Sequence, residues 1–251
     1  MRIALMSAMP EEIDMLLPEM GADVETIDRG KRTYYLGQLA GHEVVAVFSR
    51  WGKVAASATV TNLITEFGVE ALLFSGVAGA LAPGVKIGDI VVGENFIQHD
   101  LDARPLVPQF EAPLLGVARF QADPNLTRLL ETSAARFASE DLAGSVGADV
   151  VERFKLHAPS VRRGLIVSGD RFVGSHADAQ SLRALVGEAL CVEMEGAAVA
   201  QVCYEYGVPF GVLRVMSDSA DESASVDFLA FTKDVARNYS HGVILKVLAQ
   251  L

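Results

Sequence analysis

The sequence predicts an α/β protein with three layers, helices lying on both sides of a central mixed, twisted and largely buried sheet. Two observations carry this. Apolar runs of strand length alternate with helix-length patterned stretches along the chain, the order that builds a sheet covered by helices. The strand-length runs are short and apolar throughout, as expected of strands buried on both faces. With 251 residues, 51% hydrophobic and 21% charged, the chain has apolar surface enough to offset the entropy of ordering, which excludes a disordered protein.

The elements follow in order. Residues 2–7 form the first apolar run. Pro10 opens a helix through Leu17; proline suits a first turn because its missing N–H has no partner there. Residues 33–36 and 43–49 read as strands joined by the Ala40-Gly41-His42 turn, and residues 53–67 carry Ala, Val and Leu at helical spacing. Residues 71–77 and 89–92 read as buried strands bounded by glycines at 76, 79, 84 and 88, and 165–168 and 191–194 continue the series. Residues 195–206 form a helix stopped by Gly207 and Pro209. Residues 210–216 are another strand, and 227–251 close the chain as a long helix. No repeat or Pro- or Ser-rich linker divides the sequence, so residues 1–251 read as one domain.

A net charge of −11 repels polyanions, so nucleic acid and anionic membrane are not expected partners; a small uncharged or cationic ligand is. The longest stretch free of Asp, Glu, Lys and Arg is 15 residues, Ala71 to Val85, below the about 18 that a membrane span needs. The acidic pair Glu11-Glu12 comes too early for a secretory signal. A cytoplasmic protein is the expectation. Cys191 and Cys203 and the five scattered histidines show no metal-ligand spacing, so neither a disulfide framework nor a metal is expected, and no cofactor motif appears.

Ligands of open α/β sheets gather beyond the carboxyl ends of strands. Four such ends carry polar groups or glycines: Ser7-Ala8-Met9-Pro10-Glu11-Glu12, Ser75-Gly76-Val77-Ala78-Gly79-Ala80, Val192-Glu193-Met194-Glu195-Gly196, and Arg214-Val215-Met216-Ser217-Asp218-Ser219-Ala220-Asp221. Several of these have plain structural readings. Glu11 and Glu12 suit a helix N-terminus, Asp218 and Asp221 suit turns or caps, and Gly76 and Gly79 suit a tight turn. Glu193 and Glu195 are harder to explain so: two residues apart at a strand end among apolar and small neighbours, they are costly if unused.

Together these segments resemble the purine nucleosidase branch of the nucleoside phosphorylase superfamily, and within it the 5′-methylthioadenosine/S-adenosylhomocysteine nucleosidases. The resemblance also rests on Gly52-Lys53-Val54-Ala55-Ala56, Gly88-Asp89-Ile90-Val91-Val92, His99-Asp100 and Gly164-Leu165-Ile166-Val167-Ser168-Gly169-Asp170, and spans most of the chain. It implies hydrolysis of the N-glycosidic bond, with Asp218 protonating purine N7, Glu12 activating the water and Arg214 holding that water. It also implies sugar contacts from Glu195, Met194 and Glu193, a base stack on Phe172 and a cover from Phe228. Ser217, Ala78, Gly79, Met9, Trp51 and Leu106 complete the implied pocket. Carboxyl groups on both sides of the scissile bond suit a reaction that develops positive charge on the sugar and negative charge on the base.

The nucleophile is expected to be water. A phosphate beside Glu11 and Glu12, with no Arg before Arg29, would meet repulsion of about 4 kcal/mol per charge pair at about 4 Å. Against the family pattern, Val77 replaces a hydroxyl residue, Trp51 an aliphatic and Leu106 an aromatic, and the charged stretch 136–162 is longer than usual, an insertion forming an extra helix or a flap. The resemblance further implies a homodimer in which residues after His99 reach a neighbour's pocket; the apolar Pro105-Leu106-Val107-Pro108 and Phe110 fit an interface. The alternatives are a futalosine-type hydrolase, a purine nucleoside phosphorylase, or a nucleoside-binding protein without catalysis.

Overall fold

The computed structural model describes residues 1–156, 158–220, 228 and 230–251. Among these, ten strands form one mixed sheet: β1 (Arg2–Ser7), β2 (Glu25–Arg29), β3 (Arg32–Leu39), β4 (His42–Phe48), β5 (Ala71–Ala80), β6 (Ile90–Gln98), β7 (Phe120–Gln121), β8 (Val161–Ser168), β9 (Ala189–Glu193) and β10 (Phe210–Asp218). Their order is β10-β6-β8-β9-β5-β1-β4-β3-β2, with β7 on β6. The helices are α1 (Pro10–Asp14), α2 (Lys53–Thr65), α3 (Pro124–Arg136), α4 (Leu142–Ser145), α5 (Ala148–Phe154), α6 (His176–Leu185), α7 (Gly196–Tyr206) and α8 (Arg237–Leu248).

Helices cover both faces of the sheet, as the alternating pattern predicts. The two-residue period of a strand sends neighbours to opposite cores. Ile3, Leu5 and Leu73 pack with Leu126 and Leu130 of α3 and Val243 and Ile244 of α8. Ala4, Met6, Leu72 and Phe74 pack with Val60 and Leu63 of α2 and Val199 and Cys203 of α7. Every residue of β5 is buried. The sheet is more closed than a layered sandwich: β10 pairs with β5 as well as β6, and β9 pairs with the end of β5, so β5, β10, β6, β8 and β9 form a ring. The ends of β5, β9 and β10 thus converge on one place.

Several boundaries differ from the sequence reading. The first helix stops at Asp14 and a 3-10 turn spans Leu17–Met20; Pro18 lacks an N–H and disfavours helical backbone at Leu17. Strand β5 runs straight through Gly76 and Gly79 to Ala80 instead of turning there. These glycines serve close approach: a Cβ at Gly76 would sit 3.1 Å from Arg214 Nη1, and one at Gly79 would sit 3.0 Å from Asp218 Oδ1. In the terminal helix the described residues Phe228, Ala230 and Phe231 are already helical, ahead of a π-helical turn at Thr232–Ala236; the expected start at Asp227, and Asp221, lie outside the described residues. The 136–162 stretch forms a π-helical turn, α4 and α5, and Phe137, Leu142, Val146 and Leu156 anchor it in the core. Phe137 packs on Gly242 of α8, where a Cβ would meet its ring at 2.4 Å.

Candidate active site

A cavity of about 360 Å³ opens where the chain leaves β1, β8, β9 and β10 and along the last residues of β5. Most of its wall is apolar: Met9, Trp51, Val77, Phe172, Val173 and Phe228. Phe228 meets Trp51 edge to face at 6.2 Å and Phe172 likewise at 6.1 Å. Into this wall project the carboxyl groups of Glu193, Glu195 and Asp218.

Glu193 ends β9 just before α7. Its carboxylate accepts from Gly196 N–H at 2.8 Å and Glu195 N–H at 3.2 Å, from Ser168 Oγ, and from Arg214 Nη2 at 2.7 Å and Nε at 3.3 Å. It therefore caps the positive end of a helix and pairs a buried guanidinium together. Gly196 permits this fold-back, since a Cβ there would press on the carboxylate at 3.2 Å. Glu195 stands at the N-cap of α7, beyond the strand, so the two-residue alternation does not extend to it. Its Oε1 accepts from Gly52 N–H at 2.8 Å. Burial, then the charge of Glu193, raises its carboxyl above the usual range.

Asp218 ends β10 after a register shift that inserts Ser217 between Met216, opposite Ala78, and Asp218, opposite Gly79. Such an irregularity re-aims a side chain. Asp218 accepts from Ser217 Oγ at 2.7 Å and from Ala220 N–H at 2.8 Å. Glu12 lies behind the cavity wall at 0% exposure. Its Oε1 accepts from Ser240 Oγ of α8 at 2.9 Å, and its Oε2 is buried with no partner among the described residues. Burial pushes its carboxyl up to about 7, against the opposing pull of the Ser240 bond and the Arg214 charge.

Of the residues singled out in the sequence, Met9, Trp51, Ala78, Gly79, Phe172, Glu193, Met194, Glu195, Ser217, Asp218 and Phe228 line this one cavity. Three do not. Glu12 sits behind the wall. Arg214 is fully buried, stacked 3.9 Å over the Phe74 ring, its remaining donors on Leu213 O and Phe74 O. With its guanidinium so committed, the expected hold on a water gives way to a hold on Glu193. Leu106 is 89% exposed on a surface loop and does not line the cavity of its own chain. Trp51 does not turn into the core. Its indole N–H donates to Ala8 O at 3.1 Å and faces Met9 sulfur at 3.3 Å, leaving the ring 56% exposed. Sequence reasoning missed Ser240, which has no local signal, gave no role to Ser168 and Gly52 although both stand in segments that carry the resemblance, and missed Arg171, which lines the cavity and pairs with Asp178 at 2.9 Å.

The phosphorylase superfamily pattern matches residues 2–249. The chain belongs to the phosphorylase superfamily. Among superfamily relatives, it is 37% identical over 237 residues to an aminodeoxyfutalosine nucleosidase of Helicobacter pylori, covering 94% of this chain and 93% of the relative. It is 33% identical to a 5′-methylthioadenosine/S-adenosylhomocysteine nucleosidase of Anoxybacillus flavithermus, covering 98% of each. The crystal structure of the corresponding Neisseria meningitidis nucleosidase with methylthio-immucillin-A superposes with a TM-score of 0.86 at 33% identity, over 100% of this chain and 99% of that one.

Proposed function

We propose that this superfamily member hydrolyses the N-glycosidic bond of 5′-methylthioadenosine, S-adenosylhomocysteine or both, releasing adenine and the 5-thioribose product. The observation that carries the reading is one apolar cavity with three carboxyl groups from two strand ends, Glu193 and Glu195 after β9 and Asp218 after β10, and a further buried carboxyl, Glu12, that does not line it. Asp218 gives a proton to purine N7 as the base departs. The sugar becomes cationic at C1′, water adds there, and the water's proton passes to Glu12. Glu195 and the Met194 backbone hold the sugar, with Glu193 and Arg214 fixing that end of the site. Phe172 and Phe228 enclose the base, and Met9 and Trp51 border the 5′-substituent. No cofactor or metal is needed for these steps.

Water suits the site better than phosphate because the buried arginine, Arg214, is committed to Glu193, and the exposed Arg171 already pairs with Asp178. The likeness to the H. pylori relative favours aminodeoxyfutalosine as a second substrate to test. The experiment is incubation of the chain with each nucleoside, with and without phosphate, following adenine. Adenine released without phosphate is expected; release only when phosphate is added would overturn the hydrolase reading. The same proposal includes a single domain, a homodimer in which residues after His99 reach a neighbour's pocket, and a cytoplasmic role in methionine salvage. No helix among the described residues is long and apolar enough to cross a membrane.

A further inference from the structure

A second cavity, about 230 Å³, lies between α1 and β3. Ile13, Tyr35 and Phe48 form its apolar floor, and Lys31, Arg32 and Arg50 its rim, with Asp14 as the one acid. What sets these cations apart is that three of them gather on one cleft of a chain that holds 32 acidic and 21 basic residues. Elsewhere Arg2, Lys53 and Arg153 find carboxylates. Here the hydrogen bonds go to backbone carbonyls: Arg32 to Gly30, Ser49 and Ala55, and Arg50 to Lys31. Among the described residues none of the three forms an ion pair. Three like charges around one cleft repel one another unless an anion joins them.

The two cavities are neighbours along the chain. Met9 and Trp51 line the first, and their chain neighbours Pro10 and Arg50 line the second. The indole of Trp51 is pinned to Ala8 and Met9 on the side of the first cavity. A group leaving the first cavity past Trp51 therefore meets the cationic rim of the second.

We propose that the cavity between α1 and β3 binds a carboxylate carried on an apolar body. The floor takes the apolar part and the rim takes the charge; a guanidinium fork and an ammonium suit a carboxylate, while an apolar floor does not solvate a dianion. The carboxylate has two possible sources: the far end of a long 5′-substituent, which rests on the proposed nucleosidase reading, or a separate small carboxylic acid, which does not.

The test uses the full chain and the variants Arg50→Gln and Lys31→Gln, which leave the Arg32 carbonyl contacts untouched. Steady-state kinetics compare 5′-methylthioadenosine, which has no carboxylate, with S-adenosylhomocysteine, whose tail ends in an α-amino acid with a carboxylate beside its ammonium. Calorimetry with 3-phenylpropionate, in the presence of saturating adenine, reads the cavity directly. A substrate-borne carboxylate predicts that KM for S-adenosylhomocysteine rises about tenfold in each variant with kcat retained. KM for methylthioadenosine stays constant, and Arg50→Lys restores the difference. A separate acid predicts saturable phenylpropionate binding that both variants weaken, with substrate discrimination unchanged. Equal kinetics for both substrates in all variants, together with no phenylpropionate binding, would overturn the proposal. Failure to hydrolyse either nucleoside would refute the nucleosidase reading alone, since the calorimetric arm still reports on the cavity.

Discussion

Glu12→Gln separates the role of Glu12 in activity from its effect on stability. The carboxyl is fully buried, and burial lifts it from 4.5 to about 7. That difference corresponds to about 3 kcal/mol between its protonation states. In the unfolded chain the group ionises near 4.5, so between 4.5 and 7 the folded state holds the extra proton. Stability therefore falls as pH rises through that window, and the full penalty acts above it. Glutamine has no such titration. Its amide meets the same enclosed surroundings at every pH, so any packing or hydrogen-bond penalty cancels when two pH values are compared. For a chain of this length about 1 kcal/mol moves Tm by about 2–4 °C. The Tm of Glu12→Gln relative to wild type should then be roughly 6–10 °C more favourable at pH 8 than at pH 5. Turnover should fall by about 10²–10⁴-fold, and wild-type kcat/KM should rise with pH through about 7 as the base ionises. Differential scanning calorimetry at the two pH values, beside adenine-release kinetics, checks this. A Tm difference independent of pH would refute the burial argument, and near-normal kcat in Glu12→Gln would refute the base assignment.

Asp218→Asn should lower kcat by about 10²–10⁴-fold with the fold retained, seen as an unchanged far-UV spectrum beside lost adenine release. Arg214→Met leaves Glu193 buried without its cation and should destabilise by about 3–5 kcal/mol in urea unfolding; Arg214→Lys should recover only part, lacking the planar fork. Trp51 is the one tryptophan, so ligand binding to Asp218→Asn should change emission; saturable binding by calorimetry with constant emission would remove it from the ligand wall. Light scattering at micromolar concentration should report a dimer, and a fully active monomer would exclude a shared pocket.

How far the sequence disclosed this arrangement depended on whether a signal was local. Strands β1, β4, β5 and β10 announce themselves as apolar runs because both their faces are buried. β2 does not: its residues Glu25–Arg29 are mostly exposed, and it exists because β3 offers it an edge to pair with. α3 and α6 carry readable caps, Asp123 before Pro124 and Ser175 before Asp178, which an eye set on apolar runs passes over. In the site, the glycines of β5 were visible but their use was not. A close approach by Arg214 or Asp218 depends on a neighbouring strand, while a turn would depend only on the glycine. Ser240 reaches Glu12 across 228 residues of sequence, and nothing near either residue marks the contact.

The charge arrangement of the site leads one step further. Glu12, Glu193, Glu195 and Asp218 surround a region where the buried cation is Arg214. Arg214 does not serve them evenly. Its Nη2 and Nε meet Glu193 alone, and Glu193 also takes the first N–H groups of α7 and the Ser168 hydroxyl. Glu12 and Glu195 feel Arg214 only through space, and burial outweighs it for both. The same guanidinium thus anchors one carboxylate as a fixed part of the frame and leaves two others holding protons more tightly than carboxyls in water do. A reaction that must accept a proton from water near neutral pH needs a group of that kind, with proton affinity close to the working pH. Dividing the acids into one anchored carboxylate and two that burial lifts gives a single apolar cavity both a fixed ionic frame and groups that exchange protons near neutral pH.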